Sequence, residues 1–406
     1  MQPKSRLLAS VYCSNALEFF DYTIFGAFSV VIAKTFFGSS NQQLSDYLAI
    51  LAFCISLLIR PIGSLIFGYI GDNISRIRSL RLSILCMTAA SLSMAFLPSY
   101  EHIGVFAIIV VFASRILQGI SAGGEYNGAA IFALEECQHQ SWWISGLLTS
   151  SAIMGLVLAS TFSLTQKLTF LPSWFWRIGF VMGAMIGVSS YFLRNTSTLR
   201  NTNKKQKTQT TYHYIKKNLS LFFFIFCVGG QTSSLCYWLF IAVNDKTLPL
   251  NTTGIDLIYH KIIYLLTASL ASIYIGHINQ KQDSEKYVPW VFLCTITLMP
   301  LLFFITYYTQ HFFIPFFMIA LLIGQHGSQQ HVIFQRYVDP LFRQRFISIA
   351  FSLGTGILST LTIFVMKNLS FTTVSIDYFW FSLPSLGALI FYQQMRQKNA
   401  VSNLQS

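Results

Sequence analysis

The chain has 406 residues, 53% of them hydrophobic and only 10% charged, with 38 Phe, a mean hydropathy of +0.55 and a formal net charge of +13. An average soluble domain carries roughly 25% charged residues, so the composition excludes a soluble globular fold and predicts an all-α integral membrane protein. Nucleic acid is excluded as a partner, because the basic residues sit on short connections between apolar runs.

Apolar runs of about 18 to 25 residues, each long enough to cross a ~30 Å hydrocarbon core as a helix, recur along the whole chain. Twelve are read, at about 8–34, 46–70, 79–97, 103–130, 142–164, 174–194, 218–243, 256–277, 287–307, 311–336, 342–366 and 374–393. A secretory signal peptide is the alternative for the first, with Lys4 and Arg6 as its basic region, but Glu18 and Asp21 interrupt the run and no cleavage pattern follows. The seven Cys are scattered, with no CxxC or Cys/His spacing, so neither a disulfide framework nor a metal site is expected.

In the first span Asn15, Glu18, Asp21 and Tyr22 recur at three or four residues and share one helical face. At ~1.5 Å per residue, Asp21 lies roughly 20 Å from the start of its span, and Arg115 roughly 18 Å into a span entered from the opposite side. Their depths overlap. Arg60, in the second span, lies at a level Glu18 can reach. Two acids and two arginines at similar depth form a near-neutral cluster, which lowers the cost of keeping each in the membrane. A structural ion-pair network is one reading. The other is a proton-coupling device, in which burial raises a carboxylate pKa and a nearby Arg lowers it.

Between the second and third spans, Gly71, Asp72, Arg76 and Arg78 mark a short turn whose charges can bridge neighbouring helix ends and hold one conformation shut. Topogenic charge is the alternative. In the fourth span the stretch from Arg115 to Glu125 holds Gln118 and three glycines. After the sixth span a polar, basic stretch at about 195–217 divides the chain into halves, 1–194 and 218–406. Two six-helix halves joined by a basic linker fit a transporter with its binding site between them, near the midplane.

In the second half, Gln231 lies in the seventh span, and Gln325, His326, Gln329, Gln330 and His331 crowd the tenth. Such groups usually face a cavity or a helix interface. His326 is read as a substrate or proton ligand, against the commoner use in helix-to-helix hydrogen bonding. About nineteen of the 27 Lys and Arg fall at the connections and tails on the side of the N-terminus, which predicts both termini in the cytoplasm.

Four segments then carry a resemblance. They are Ser14 to Tyr22 (family G-N-x-x-E-W-F-D-F), Arg60-Pro61-Ile62-Gly63 through Gly71-Asp72 (R-P-x-G…G-D-x-x-G-R), Arg115 to Tyr126 (R-x-x-Q-G-x-x-x-G-G-E-Y), and Trp176-Arg177 with Tyr191 to Arg194 (W-R-x-P…Y-x-R). Over about residues 10–195 the chain resembles the metabolite:proton symporter branch of the major facilitator superfamily, which includes proline/betaine, α-ketoglutarate, citrate and shikimate transporters. The resemblance implies that Glu18, Asp21 and Arg115 belong to the proton and substrate pathway, that Arg60 and Glu125 support it, and that Gly71, Asp72, Arg76 and Arg78 gate it. The chain departs from the pattern at Ser75 and Gly179, and after Arg194, where Asn-Thr-Ser-Thr replaces an acidic segment. In the second half the turn at Gln335 to Arg345 lacks the family's Glu.

The expectation is therefore a secondary transporter of the bacterial inner membrane, a monomer in the lipid bilayer without cofactor. It couples a proton to a small polar substrate that bears a carboxylate or is a zwitterion. Asn15, Tyr22, Arg60, Gln118, Glu125, Gln231, Gln325 and His326 are the candidate substrate ligands. A proton-independent exchanger or exporter, and a non-transporting paralogue or sensor, stay open. No HExxH or P-loop is present, so an enzyme is not expected.

Overall fold

The computed structural model describes residues 3–38, 42–167, 171–195, 211–242, 254–281, 284–309, 313–368 and 381–405. Every expected span is helical where it is described. The helices are α1 (Pro3–Ala27), α2 (Ser29–Phe36), α3 (Gln42–Leu58), α4 (Arg60–Asn73), α5 (Arg76–Phe96), α6 (Tyr100–Ile103), α7 (Val105–Glu136), α8 (Ser141–Ser163), α9 (Arg177–Asn195), α10 (Thr211–Lys217), α11 (Leu219–Ala242), α12 (Gly254–Lys281), α13 (Val288–Thr309), α14 (Phe313–Tyr337), α15 (Arg343–Asn368) and α16 (Ser382–Gln405). Most of the expected basic linker, and residues 374–380 of the last expected span, lie outside the described residues.

Among the described residues, seven helices are long and apolar enough to cross a membrane, and an eighth is added when α1 and α2 count as one. That pair bends by 65° between Gly26 and Ser29, small residues of the kind that accompany kinks. The break between α3 and α4 falls at Ile59, and Pro61 stands in the first turn of α4, where its missing N–H is not needed. Large apolar side chains stand outward, Leu270, Trp290 and Phe106 among them, as a hydrocarbon-facing surface requires.

The N-terminal half packs α1 on α8 and α9, and α5 and α4 on α7; in the C-terminal half α11 packs on α15 and α16, and α12 on α14. Two seams join the halves, α8 against α12 and α4 against α15. Small residues make the first seam close enough for hydrogen bonds between hydroxyls and backbone. A Cβ on Gly146 or Gly276 would overlap the facing backbone. Ser150 and Ser269 hydroxyls meet at 2.7 Å, and Ser272 donates to the Gly146 carbonyl at 3.0 Å. In the second seam the Ser64 and Ser352 hydroxyls meet at 2.7 Å. Interhelical packing of this kind replaces the hydrophobic drive that lipid cannot supply.

Candidate functional site

Arg115 is fully buried in α7. Its guanidinium donates to the Gln118 side-chain oxygen and, at 2.9 Å, to the Ser56 hydroxyl. Gln118 turns its amide nitrogen to Asp21 Oδ2 at 2.9 Å, and Ser91 donates to the same oxygen. The charges of Arg115 and Asp21 are thus joined through a neutral amide. Ser56 gives its proton to the Phe53 carbonyl at 2.6 Å, which leaves the Tyr22 hydroxyl as donor to Ser56 at 2.8 Å.

Aromatic faces complete the cage. The Arg115 guanidinium lies 4.3 Å from the Phe25 ring centre and 4.8 Å from that of Tyr22, while Arg60 lies 4.5 Å from Tyr22. Cation–π contacts are worth about 2 kcal/mol when desolvated, so they offset part of the several kcal/mol that burying a cation costs. Arg60 also reaches the Tyr237 hydroxyl of α11 at 3.5 Å, across the interface between the halves.

Arg60 and Glu18 together line a cavity between the halves of about 50 Å3. A water needs roughly 10–15 Å3 by this measure, so the space holds a few waters and the state is close to occluded. Phe19, Tyr126, Asn127, Thr149, Thr232, Tyr237, Gln330, Phe351, Ser352 and Thr355 complete most of the wall. Gln330 of α14 donates to the Tyr126 hydroxyl of α7 at 3.1 Å and accepts from Thr232 at 3.3 Å, and His331 shares a 3.0 Å hydrogen bond with Tyr126. Helices of both halves therefore meet around one tyrosine. A second cavity, of about 20 Å3, lies inside the N-terminal half among α1, α5, α7 and α9, lined by Glu18, Asp21 and Glu125.

At the end of the molecule that carries the turn after α4, Asp72 ties the halves together. Its carboxylate accepts from the backbone N–H groups of Gln344 and Arg345 at 3.1 and 2.9 Å, the first turn of α15, and pairs with Arg345 Nε at 3.1 Å and Arg76 at 2.5 Å. An anion at a helix N-terminus satisfies orphan donors and meets the positive end of the dipole. Glu135 adds pairs to Arg76 at 3.4 Å and Arg343 at 3.1 Å. The Gln344 amide enters a slot beside Gly71, where a Cβ would overlap it, and bonds Arg76 at 3.0 Å and Ser79 at 3.2 Å.

The Sugar (and other) transporter family matches residues 7–196. The proline/betaine transporter of Escherichia coli K12 is 30% identical over 196 residues, 47% of this chain and 39% of that protein. A putative metabolite transport protein of Haemophilus influenzae is 36% identical over 200 residues, 48% of this chain and 45% of that one. The matched stretch thus spans less than half the length of these relatives. A solved major facilitator superfamily proton:xylose symporter, bound to 6-bromo-6-deoxy-D-glucose, superposes with a TM-score of 0.77 over 96% of this chain and 95% of its own, at 12% identity.

The chain has the major facilitator fold. The resemblance read from the motifs of residues 10–195 is borne out by these relatives, which are themselves named as transporters. On the major facilitator framework the sequence-derived residues separate. Glu18 and Arg60 reach the central cavity; Asp21, Tyr22, Gln118 and Arg115 form the buried network behind it. Glu125 lies in the inner cavity, where its Oε2 accepts from Ser83 at 2.5 Å.

Other candidates lie elsewhere. Asn15 donates to the Leu148 carbonyl at 3.1 Å and to Ser151 at 2.6 Å, tying α1 to α8. His326 bonds Thr295 at 2.7 Å inside the C-terminal half, the helix-to-helix use, and Gln325 is half-buried; neither lines the central cavity. Gln231 is buried, with no protein partner for either amide atom, one residue from the cavity-lining Thr232. Of the gating set, Gly71, Asp72 and Arg76 form the interlock, whereas Arg78 is exposed. The wall residues that the motifs did not single out as ligands are Thr232, Tyr237, Ser352 and Thr355 of the second half, and Asn127 and Tyr126 beside Glu125. Their available signal was adjacency: Tyr126 follows the charged motif, and Gln330 stands in the polar crowd of the tenth span.

Proposed function

We propose that this chain is a secondary transporter that moves a small zwitterion by alternating access, coupled to a proton. The observation that carries the reading is the central cavity, where one carboxylate, Glu18, and one guanidinium, Arg60, face a single space between the halves. One charge of each sign suits a ligand that is itself neutral overall. Arg60 would hold a substrate carboxylate. Glu18, with the ring faces of Phe19, Tyr126 and Phe351, would receive the ammonium, which aromatic faces attract. Tyr126 packs edge-on to Phe19 at 5.3 Å and lies 5.6 Å from Phe351, so the three rings make one surface. Relatives named as proline/betaine transporters support this substrate class.

The proton would be carried by Glu18 and Asp21. Arg115 acts on Asp21 through Gln118, so a change at either end reaches the other by one side chain. Protonation of Asp21 would weaken its hold on Gln118 and release the amide to turn, which is a two-state element that substrate and proton can both bias. Residues 1–194 and 218–406 would be the rocking units, in a bacterial inner membrane, with the interlock at Asp72 facing the cytoplasm. Reaching the inward-facing state then requires the Asp72 and Glu135 pairs to part.

The test is uptake of radiolabelled glycine betaine and proline into proteoliposomes under an imposed pH gradient. Asp21→Asn and Arg115→Ala are each expected to reduce accumulation at least tenfold. Full accumulation in both variants would remove the proton role. Counterflow insensitive to pH in the unaltered protein would favour an exchanger or exporter.

A further inference from the structure

Apart from Glu18, the residues of the inner cavity take no part in the substrate binding proposed above. The cavity is bounded by Glu18 and Asp21 of α1, Glu125 of α7, hydroxyl-bearing Ser121 and Ser190, and Gly183 of α9. Asp21 is buried, and its Oδ1 has no hydrogen-bond partner in the protein, while its Oδ2 takes two donors. That free oxygen faces Gly183, where a Cβ would overlap it. At about 20 Å3 the space fits one water, which needs roughly 10–15 Å3. Glu18 borders both this cavity and the central one.

Charge balance gives the second observation. Three carboxyls, Glu18, Asp21 and Glu125, and two guanidiniums, Arg60 and Arg115, are buried here, so full ionisation of these five groups leaves one net negative charge among them. An uncompensated buried charge costs several kcal/mol, and one proton on the three acids cancels it. Glu18 and Asp21 of α1 border the same cavity as Glu125, and Arg115 of Glu125's own helix reaches Asp21 through Gln118. The α5 and α9 residues bordering the cavity carry no charge, and Ser83 of α5 bonds the carboxylate. Arg60 of α4 lies on the far side of Glu18, in the central cavity.

We infer that the inner cavity is the holding site of the coupling proton, shared by Glu18, Asp21 and Glu125 through one water, with Glu18 as the entrance from the central cavity. This rests on the proton symport proposed above. A protonated Glu18 gives its proton to the water as the water passes another to the carboxylate of Asp21 or Glu125. The water is unchanged, and one carboxyl is exchanged for another. Glu125 thereby holds a proton without meeting substrate.

The experiment measures, in proteoliposomes with glycine betaine as probe, pH-gradient-driven accumulation, counterflow at equal pH, and proton uptake reported by an internal pH dye. Glu125→Gln is expected to lose the dye signal and to lower accumulation about tenfold, with counterflow still measurable. Wild-type accumulation and dye signal in Glu125→Gln would overturn the inference while leaving symport standing. Should Glu125→Gln fail to fold, Ser83→Ala decides: it removes the bond to Glu125 along with a local one to the Leu80 carbonyl inside α5, and a displaced pH midpoint of uptake supports the inference, whereas an unmoved midpoint overturns it. Unaltered protein driven by a sodium gradient and not by pH would overturn both readings.

Discussion

Tyr22 is the residue on which both arginines converge, since its ring lies under Arg60 and Arg115 while its hydroxyl bonds Ser56. The two functions can be separated. Tyr22→Phe keeps the ring and loses one hydrogen bond, about 1 kcal/mol, so transport is expected to persist with a small fall in Tm. Tyr22→Leu removes two cation–π contacts, of roughly 1–2 kcal/mol each when desolvated, and is expected to lower Tm further and to abolish uptake. Equal effects of the two in a melting and uptake series would show that the ring faces do not hold the arginines. Gln118→Leu takes one hydrogen bond each from Arg115 and Asp21, which keep those with Ser56 and Ser91, at about 1.5–3 kcal/mol for each bond to a charged group. A Tm indistinguishable from that of the unaltered protein would contradict the relay drawn between them.

Among the elements, α4 and α15 carry the interlock, and its strength comes from an acid of one half capping a helix of the other. Asp72→Asn removes the charge from the pairs with Arg345 and Arg76 and weakens the cap. Faster amide hydrogen exchange over the first turn of α15, residues 343–347, is the expected result. Unchanged exchange there would mean that the halves are held shut elsewhere, for example by the α8 and α12 seam. Arg78→Ala is the contrast: exposed on α5, it is expected to change stability within ±0.5 kcal/mol. Gln344 belongs to the same lock, although no motif marks it. It became visible only when α15 was packed against the glycine side of α4.

For the whole molecule, the transport proposed above requires the central cavity to widen, because about 50 Å3 holds only a few waters. A ligand that binds the native protein raises its apparent stability by about 2.7 kcal/mol at one hundred times its Kd. Glycine betaine or proline is expected to raise Tm, and a tricarboxylate to do so less, since it brings three negative charges to one arginine and one acid. A larger shift with the tricarboxylate would reverse the substrate assignment.

What the sequence determined by itself was the membrane class, the helical spans and the burial of Glu18, Asp21, Arg60 and Arg115. Hydropathy and the cost of a charge in hydrocarbon are local properties, and twenty apolar residues interrupted by an arginine carry both signals in one dimension. The Asp72 interlock was half legible, because the turn motif marks one partner but not the helix it caps. The tertiary structure alone decided which of these groups share a space. It sent Asn15 and His326 to helix packing and Glu125 to an inner cavity, and it brought Tyr237, Thr232 and Gln330 to the central cavity. The reason is geometric: a helix fixes the direction of its own side chains, but what each one meets depends on the crossing and rotation of helices from the other half, which no stretch of one span encodes.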